Sequence, residues 1–524
     1  MKTKFLLFYF FLFASIVYSQ TPTFSWVNQT NAAAEGNVTV SDSENDIFGN
    51  LIVTGSFFNT ATFGSASYSA TSGPHSYIAK LDHVGNFIWT KSISSSGRIF
   101  SYSVTTDAQG SIYLVGNFNG TATFGTTALI SGDNHGSGSV TTSFICKLNA
   151  QGDFLWARKI EKLGSLRVGV DAEGNLLFFT RFSGYLTVDQ VAVTGNNDFL
   201  ILKLNSNDGS AIFGKVITDT GDGSFFRPSL TTDSSNNIYL ACSFTNSAII
   251  GETTITGNST ASILIAKLDN NGNLVWAKAV GGNADDYGQE IMLDSEKNVY
   301  ISGNYFSNSL DFEGHTIYNN GGLESYLTKM DNAGNFLWAK SYGSNSDDLF
   351  YHSVVDADGN TFLTYGSSVS AYTANLSKIA NNGATVWNKV IPNAGVKSLS
   401  LDSSQNLYCA GIFKNTINVD GFLLQSISAN DVFFGKLDTY LYTDEIDDQS
   451  FSIGPIPVNN DILISAKKEE NFSVSIFDLN GRKILTRNNL EKNARIDLSR
   501  LTPGTYILTI STQYKTVNKK IIKK

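Results

Sequence analysis

The chain has 524 residues, with 46 Gly, 7 Pro, 12% aromatic residues and a formal net charge of −9. That length exceeds one ordinary domain, and a Gly-rich, Pro-poor, aromatic-rich mixture fits many short strands joined by tight turns. Residues 20–450 carry 40 acidic against 22 basic side chains, a field that repels phosphate backbones and excludes nucleic acid as a partner.

Residues 1–19 read as a secretory signal peptide. Lys2 and Lys4 form the charged start, an apolar run follows from Phe5 to Val17, and the small Ser19 precedes Gln20. The run is shorter than the roughly 20 residues of a membrane span, and no later stretch is long and apolar enough, so no transmembrane segment is expected. Cys146, Cys242 and Cys409 are odd in number and lie inside strand-like runs. They read as small buried hydrophobes, not as a disulfide framework.

Two signatures alternate between residues 20 and 438. The first is clearest at 264–278, LIAKLDNNGNLVWAK. Two apolar runs of strand length flank turn residues, and Gly272 suits the left-handed position of a hairpin turn. Strong copies start at Tyr77, Phe144 and Tyr326, and weaker ones at Leu200, Leu376 and Phe433. The second is an Asp, a tight turn and a β-rich run, beginning at Asp46, Asp107, Asp171, Asp233, Asp294, Asp356 and Asp402. A Lys of the first signature also recurs seven times: Lys80, Lys147, Lys203, Lys267, Lys329, Lys378 and Lys436.

Each unit of about 60 residues parses into four strands, which points to radially arranged blades. In the fifth unit they are 290–293, 299–302, 326–330 and 336–340. The seventh unit stops after Asp438 without its Trp strand, and the missing strand lies at the other end, as TFSWV from Thr23. All six tryptophans (Trp26, Trp89, Trp156, Trp276, Trp338, Trp387) take this one position, with Phe213 in the seventh slot. The reading is an all-β chain: a seven-bladed β-propeller over 20–438, closed by its N-terminal strand, which removes the open edge. The tryptophans are expected to form a buried aromatic ring, and the repeated Lys and Asp to brace turns.

The pattern GGNADDYGQEIMLDSEKNVYISGNYF, followed by YLTKMDNAGNFLWAK, resembles the SBBP-type bacterial β-propeller repeat. The match is specific in units one, two, four and five, whereas units three and six are degenerate. The resemblance implies an extracellular propeller with no agreed activity.

Residues 439–450, TYLYTDEIDDQS, read as an acidic linker. Beyond it the balance reverses to 13 Lys+Arg against 6 Asp+Glu. Residues 451–524 read as a small antiparallel β-sandwich, with a hairpin turn at Asn480 and Gly481. Pro455 and Pro457, the run VSIFDLNGR with Asp478 and Gly481, then LTPGTYIL with Leu501, Gly504 and Tyr506, carry the next resemblance. This segment is similar to the type A C-terminal sorting domain of the type IX secretion system of Bacteroidetes, with IGPIP standing where the family opens on Tyr-Pro-Asn-Pro. The family implies that the type IX machinery is a partner, that the cargo crosses the outer membrane, and that the cargo ends on the cell surface or in the medium.

Within a propeller the short turns share one face and the long connections the other, where binding loops are usually found. The longest connection spans 117–142. Acids and aromatics gather in the connections before units four to six: Asp219, Asp222, Phe225 and Phe226; Asp285, Asp286 and Tyr287; Asp347, Asp348, Phe350 and Tyr351. Asp222, Asp285, Asp286, Tyr287, Asp347, Asp348 and Tyr351 are the candidate ligand residues, suited to a sugar, a cation or a basic peptide. Turn capping inherited with the repeat is the alternative reading.

No catalytic constellation is visible. The five histidines lack metal-ligand spacing, and the DADGN of 356–360 lacks the later Glu of a calcium loop. No metal or cofactor is expected. The function expected is a monomeric, non-catalytic binding or adhesion scaffold for an extracellular glycan or protein. The alternative is a propeller enzyme acting on glycans through carboxylates from distant blades.

Overall fold

The computed structural model describes all residues except 1–20, 33–35, 133–141, 162, 165–166, 222–227, 259, 368–372, 429, 439–450, 455–457, 467–470, 479–482 and 513–515. The expected signal peptide, linker, Asp222, Phe225, Phe226, Pro455, Pro457, Asn480 and Gly481 lie outside the described residues. The chain divides into two compact units, Met1–Thr439 and Tyr440–Lys524. Among the described residues the fold is all-β, with antiparallel sheets and no helix.

The fifth repeat shows how the sequence builds each sheet. Its strands Asp286–Leu293, Val299–Tyr305, Glu324–Met330 and Phe336–Tyr342 pair in that order. Both central strands are buried at every position, so apolar side chains occupy both parities, as in a sheet covered on both faces. The same inner-to-outer order recurs in seven sheets. In the seventh, Ala394–Leu401, Leu407–Phe413 and Asp431–Leu437 are followed by the N-terminal strand Phe24–Gln29. Its register sets Val27 against Gly435 and Asn28 against Phe434.

Buried apolar layers join each sheet to the next. Ile52 and Ile78 of the first pack with Leu114 and Phe144 of the second, and Phe362 and Leu376 of the sixth with Leu407 and Phe433 of the seventh. Tyr408 and Phe434 of the seventh sheet then pack with Val53 and Phe57 of the first. Each such side chain, removed from water, contributes about 1.5–3 kcal/mol.

The repeated polar residues hold the turns. Asp46 Oδ1 accepts hydrogen bonds from the amides of Phe48 and Asn50, both at 2.9 Å, and Gly49 takes φ 77°. Lys80 Nζ lies 2.8 Å from Asp46 Oδ2, and Lys203 Nζ 2.7 Å from Asp171 Oδ2, with all four side chains buried. The bracing expected of these residues is what they do.

The tryptophans differ from the expected buried ring. Trp26, Trp89, Trp156, Trp276 and Trp338 are half-buried, while Trp387 is buried. Each of the five sends its indole N–H to a hairpin-turn carbonyl of the following sheet: His83, Ala150, Ser206, Asn332 and Asn381, at 2.9–3.3 Å. A polar edge that must reach the next turn cannot sink fully into an apolar layer.

The long connections also differ from loops. They contain β-hairpins: Thr121–Phe124 with Thr127–Ile130, Ser247–Ile250 with Thr253–Thr256, Ser309–Phe312 with His315–Tyr318, and Thr416–Val419 with Phe422–Gln425. In the first and third repeats the same arm prolongs the central strands, Leu51–Phe63 with Ala66–Leu81 and Leu176–Val188 with Val191–Leu204. Two of the separate hairpins also extend a neighbouring sheet. Thr121–Phe124 pairs with Phe87–Ser95, and Ser247–Ile250 with Ala211–Asp219. The four-strand parse therefore undercounted, and residues 117–142 are in part a hairpin.

In the second unit, Phe451–Gly454, Asp461–Ala466 and Asn493–Asp497 form one sheet. Lys483–Leu490, Phe472–Phe477, Gly504–Ser511 and Thr516–Lys523 form another. They share a core containing Ile464, Val474, Ile476, Leu508 and Ile510, which is the expected sandwich. Tyr506 is buried and its hydroxyl donates to the Thr502 carbonyl at 2.9 Å. Leu501 packs against the core, Gly504 opens its strand, and Asp478 follows Phe477 at the end of another.

Candidate functional site

The acids singled out in the long connections hold backbone. Asp286 is fully buried and accepts from the Gly282 amide and the Ser307 hydroxyl, both at 2.8 Å. Burial raises its carboxyl to about 6 despite those bonds. Asp348, also buried, accepts from the Ser344 amide at 2.6 Å and hydroxyl at 2.8 Å. Asp285 and Asp347 each accept one amide across the connection, from Ala261 at 3.0 Å and Leu323 at 2.9 Å. Asp219 pairs with the buried Arg181 at 2.6 Å.

The aromatics beside them have neighbours of their own. The Tyr287 ring meets Phe306 edge-on at 6.3 Å, and burial with the Asp285 charge raises its phenol to about 12. Tyr351 lies under Lys397 Nζ, 3.5 Å from the ring centroid. These residues brace the entry to the inner strands.

The structure gathers charge elsewhere. The inner strands of all seven sheets line one cavity of about 410 Å³. Its charged and titratable side chains are Asp42 and Glu44 from Asn37–Asn45, Arg167 from Arg167–Val170, Glu290 from Asp286–Leu293 and His352 from Asp348–Val355. Ser103, Thr105, Ser229, Thr231, Ser353 and Ser400 add hydroxyl-bearing positions, and no aromatic ring other than the His352 imidazole lines it. The cavity lies where these strands run down to the Asp turns: Glu44 is two residues before Asp46, Glu290 four before Asp294, and His352 four before Asp356.

Arg167 links three sheets. Its guanidinium lies 3.6 Å from Asp42 Oδ2 and 3.8 Å from Glu290 Oε2, with 29% of its side chain exposed. Burial alone would weaken its charge, but Glu290 and Asp42 outweigh that and strengthen it. Glu290 is divided in use. Oε1 accepts from the Ser229 hydroxyl at 3.1 Å, whereas Oε2 is buried without a hydrogen bond and faces His352 Nε2 at 3.8 Å. His352 Nδ1 accepts from the Leu399 amide at 3.3 Å, which puts the ring proton on Nε2, toward Glu290.

Asp42 is held by the amides of Ser43 at 2.9 Å and Val104 at 3.1 Å. Glu44, half-buried, has no ion-pair partner among the described residues. Burial first and the nearby Asp42 charge second push its carboxyl up to about 8. The arrangement can accept donors at Glu44 and Glu290, offer a guanidinium at Arg167, and move a proton at Glu44 or His352. Among the described residues, no group of three or more His, Cys, Asp or Glu is placed to hold a metal ion.

Sequence reading missed these residues because they come from different repeats and, although Asp42, Arg167, Glu290 and His352 each stand four residues before a repeated Asp, they share no residue type. The one available signal was non-repetition. Arg167, Glu290 and His352 each stand near the start of a unit, at positions where the other units carry different residues.

Among solved structures, ulvan lyase, a polysaccharide lyase, superposes with a TM-score of 0.40 at 10% identity, covering 73% of this chain and 93% of that one. PorZ, described as a surface component of the type IX secretion system of Porphyromonas gingivalis, gives a TM-score of 0.18 at 9% identity, covering 95% and 100%. An uncharacterized WD repeat-containing protein of Acanthamoeba polyphaga mimivirus is 23% identical over 394 residues, a match that covers 60% of this chain and spans 28% of that relative. No helix among the described residues is long and apolar enough to cross a membrane. Residues 452–524 match the family described as secretion system C-terminal sorting domain, and on that match the protein is exported by type IX secretion to the cell surface or the extracellular space.

Proposed function

We propose that this protein is an exported, non-catalytic binding scaffold: a seven-bladed β-propeller, closed by Phe24–Gln29, that holds an extracellular glycan or protein group at its axis. The observation that supports it is the convergence of one strand from each of seven sheets on a single charged cavity. A rigid ring of sheets keeps such groups in place without an induced change, and preorganisation of this kind favours binding. The long connections, whose acids serve their own backbone, are the less suited surface.

A second reading is an enzyme acting on extracellular glycans. It is favoured by Glu44, protonated near neutral pH beside the Asp42 charge, and by His352 facing Glu290, which together offer an acid and a base. One experiment separates the two. The purified protein is incubated with extracellular polysaccharide from its host, and both retention and product are measured by mass spectrometry. Retention without new chain ends is expected, reduced at least tenfold in Arg167→Gln. New chain ends that vanish in Glu44→Gln would establish the enzyme, and no retention would overturn the scaffold.

A further inference from the structure

We infer that the axial cavity takes a small ligand carrying a positively charged nitrogen, an amine or guanidine, which sits between Glu44 and Glu290. This rests on the axial cavity being the binding site. Three carboxylates line the space, and Arg167 is the only Lys or Arg among its lining residues. That guanidinium is placed against both Asp42 and Glu290, one positive charge against two carboxylates, and Glu44 has no ion-pair partner among the described residues.

Two further observations point the same way. Glu290 Oε2 is buried without a hydrogen bond, and a buried acceptor left unmade costs about 1–3 kcal/mol. Elsewhere the fold provides cations for its buried carboxylates, as with Lys80 for Asp46 and Lys203 for Asp171. Here it does not. An ammonium group supplies the missing donors to both Glu290 Oε2 and Glu44, and its charge offsets the local excess. Binding that relied on sugar stacking would need aromatic rings in the lining, such as Trp, Tyr or Phe, and none is present. The acidic body, with 40 acids against 22 bases over residues 20–450, raises the local concentration of cations further.

The charged and titratable groups facing this position are Asp42 and Glu44 on one inner strand, Arg167 and Glu290 on two others, and His352 on a fourth. In the empty protein Glu44 carries its proton at pH 7, since its carboxyl is raised to about 8. A cation favours the ionised form, so binding at pH 7 releases a proton, and binding at pH 9 releases almost none.

The test uses full-length protein and two probes of equal chain length, the doubly charged 1,5-diaminopentane and the uncharged 1,5-pentanediol. Each is titrated calorimetrically at pH 7 in two buffers of different ionisation enthalpy. The diamine is expected to bind at least tenfold more tightly than the diol and to release close to one proton. Glu44→Gln should weaken it about tenfold and abolish the release, and Glu290→Gln should weaken it with the release kept. Thermal melts check that both variants fold, and Glu44→Gln decides alone if Glu290→Gln does not. Equal binding of the two probes, no diamine heat up to about 10 mM, or indifference to Glu44→Gln overturns the inference. Retention of host polysaccharide alongside any of these results leaves the scaffold standing and removes only the ligand class.

Discussion

The indole N–H of Trp26 donates to the carbonyl of His83 at 3.0 Å, tying the outer strand of the seventh sheet to the outer hairpin of the first. The other four indoles point from a sheet to the next one along the chain, whereas this one points from the last sheet to the first. Its neighbour Phe24 is anchored too, by its amide to Asp420 Oδ2 at 2.8 Å. Trp26→Phe, which keeps a ring but loses the donor, should cost about 1 kcal/mol. Deleting residues 21–28 should lower the melting temperature by many degrees and promote aggregation through two bared strand edges. A truncated protein that melts within a degree or two of the intact one would show that this strand does not hold the seventh sheet.

The turn glycines separate conformation from contact. Gly85 has φ 91°, and a Cβ there would fall 2.6 Å from the Trp26 ring, whereas Gly251 has φ 61° and open space around it. Gly251→Ala should therefore cost about 1 kcal/mol, from the backbone alone. Gly85→Ala should cost about 2–3 kcal/mol, because it also forces the indole away. Chemical denaturation of both variants checks the order. Equal losses would mean that the turn and the indole do not share a tight contact.

How far the sequence carried depends on whether a feature repeats. The hairpin unit, the Asp turn, its Lys and the Trp position recur at fixed spacing, so sheet order and the pairing of Phe24–Gln29 with Asp431–Leu437 were readable. The connection hairpins were less so. Their strands are four residues long, and a turn residue such as Asp189 takes positive φ where no Gly announces it. The cavity left one trace in the sequence, non-repetition, which does not by itself point to a site. Arg167, Glu290 and His352 are one-off residues in separate repeats, and only the arrangement of the sheets brings them together. Acid clusters such as Asp285 and Asp286 drew attention by adjacency, yet each is spent on different backbone, Asp285 on the Ala261 amide and Asp286 on Gly282 and Ser307.

Glu44 makes the stability of the protein depend on pH in a defined direction. Its carboxyl is raised in the folded protein from 4.5 to about 8, so the folded state binds the proton more tightly than the unfolded chain. Its contribution is intact below about pH 4.5 and is lost progressively as pH rises to about 8. Glu44→Gln removes that loss. Relative to the wild type, the variant should gain in melting temperature from pH 5 to pH 9, with the gain levelling above 8. A difference that is flat with pH would place Glu44 in water.

Export depends on the second unit, whose core is built separately from the first. Deleting residues 452–524 should leave the first unit folded but retained in the periplasm of the native host. Fractionation and immunodetection check this. Truncated protein on the surface or in the medium would mean that another segment carries the export signal.

The central claim is that binding occurs at the axis and not in the acidic connections. Hydrogen exchange read by mass spectrometry, with and without a digest of host extracellular polysaccharide, tests it directly. Slowed exchange in segments 42–46, 167–171, 290–294 and 352–356 is the result expected. Slowing confined to 283–288 and 344–351, with the axial segments unchanged, would contradict it.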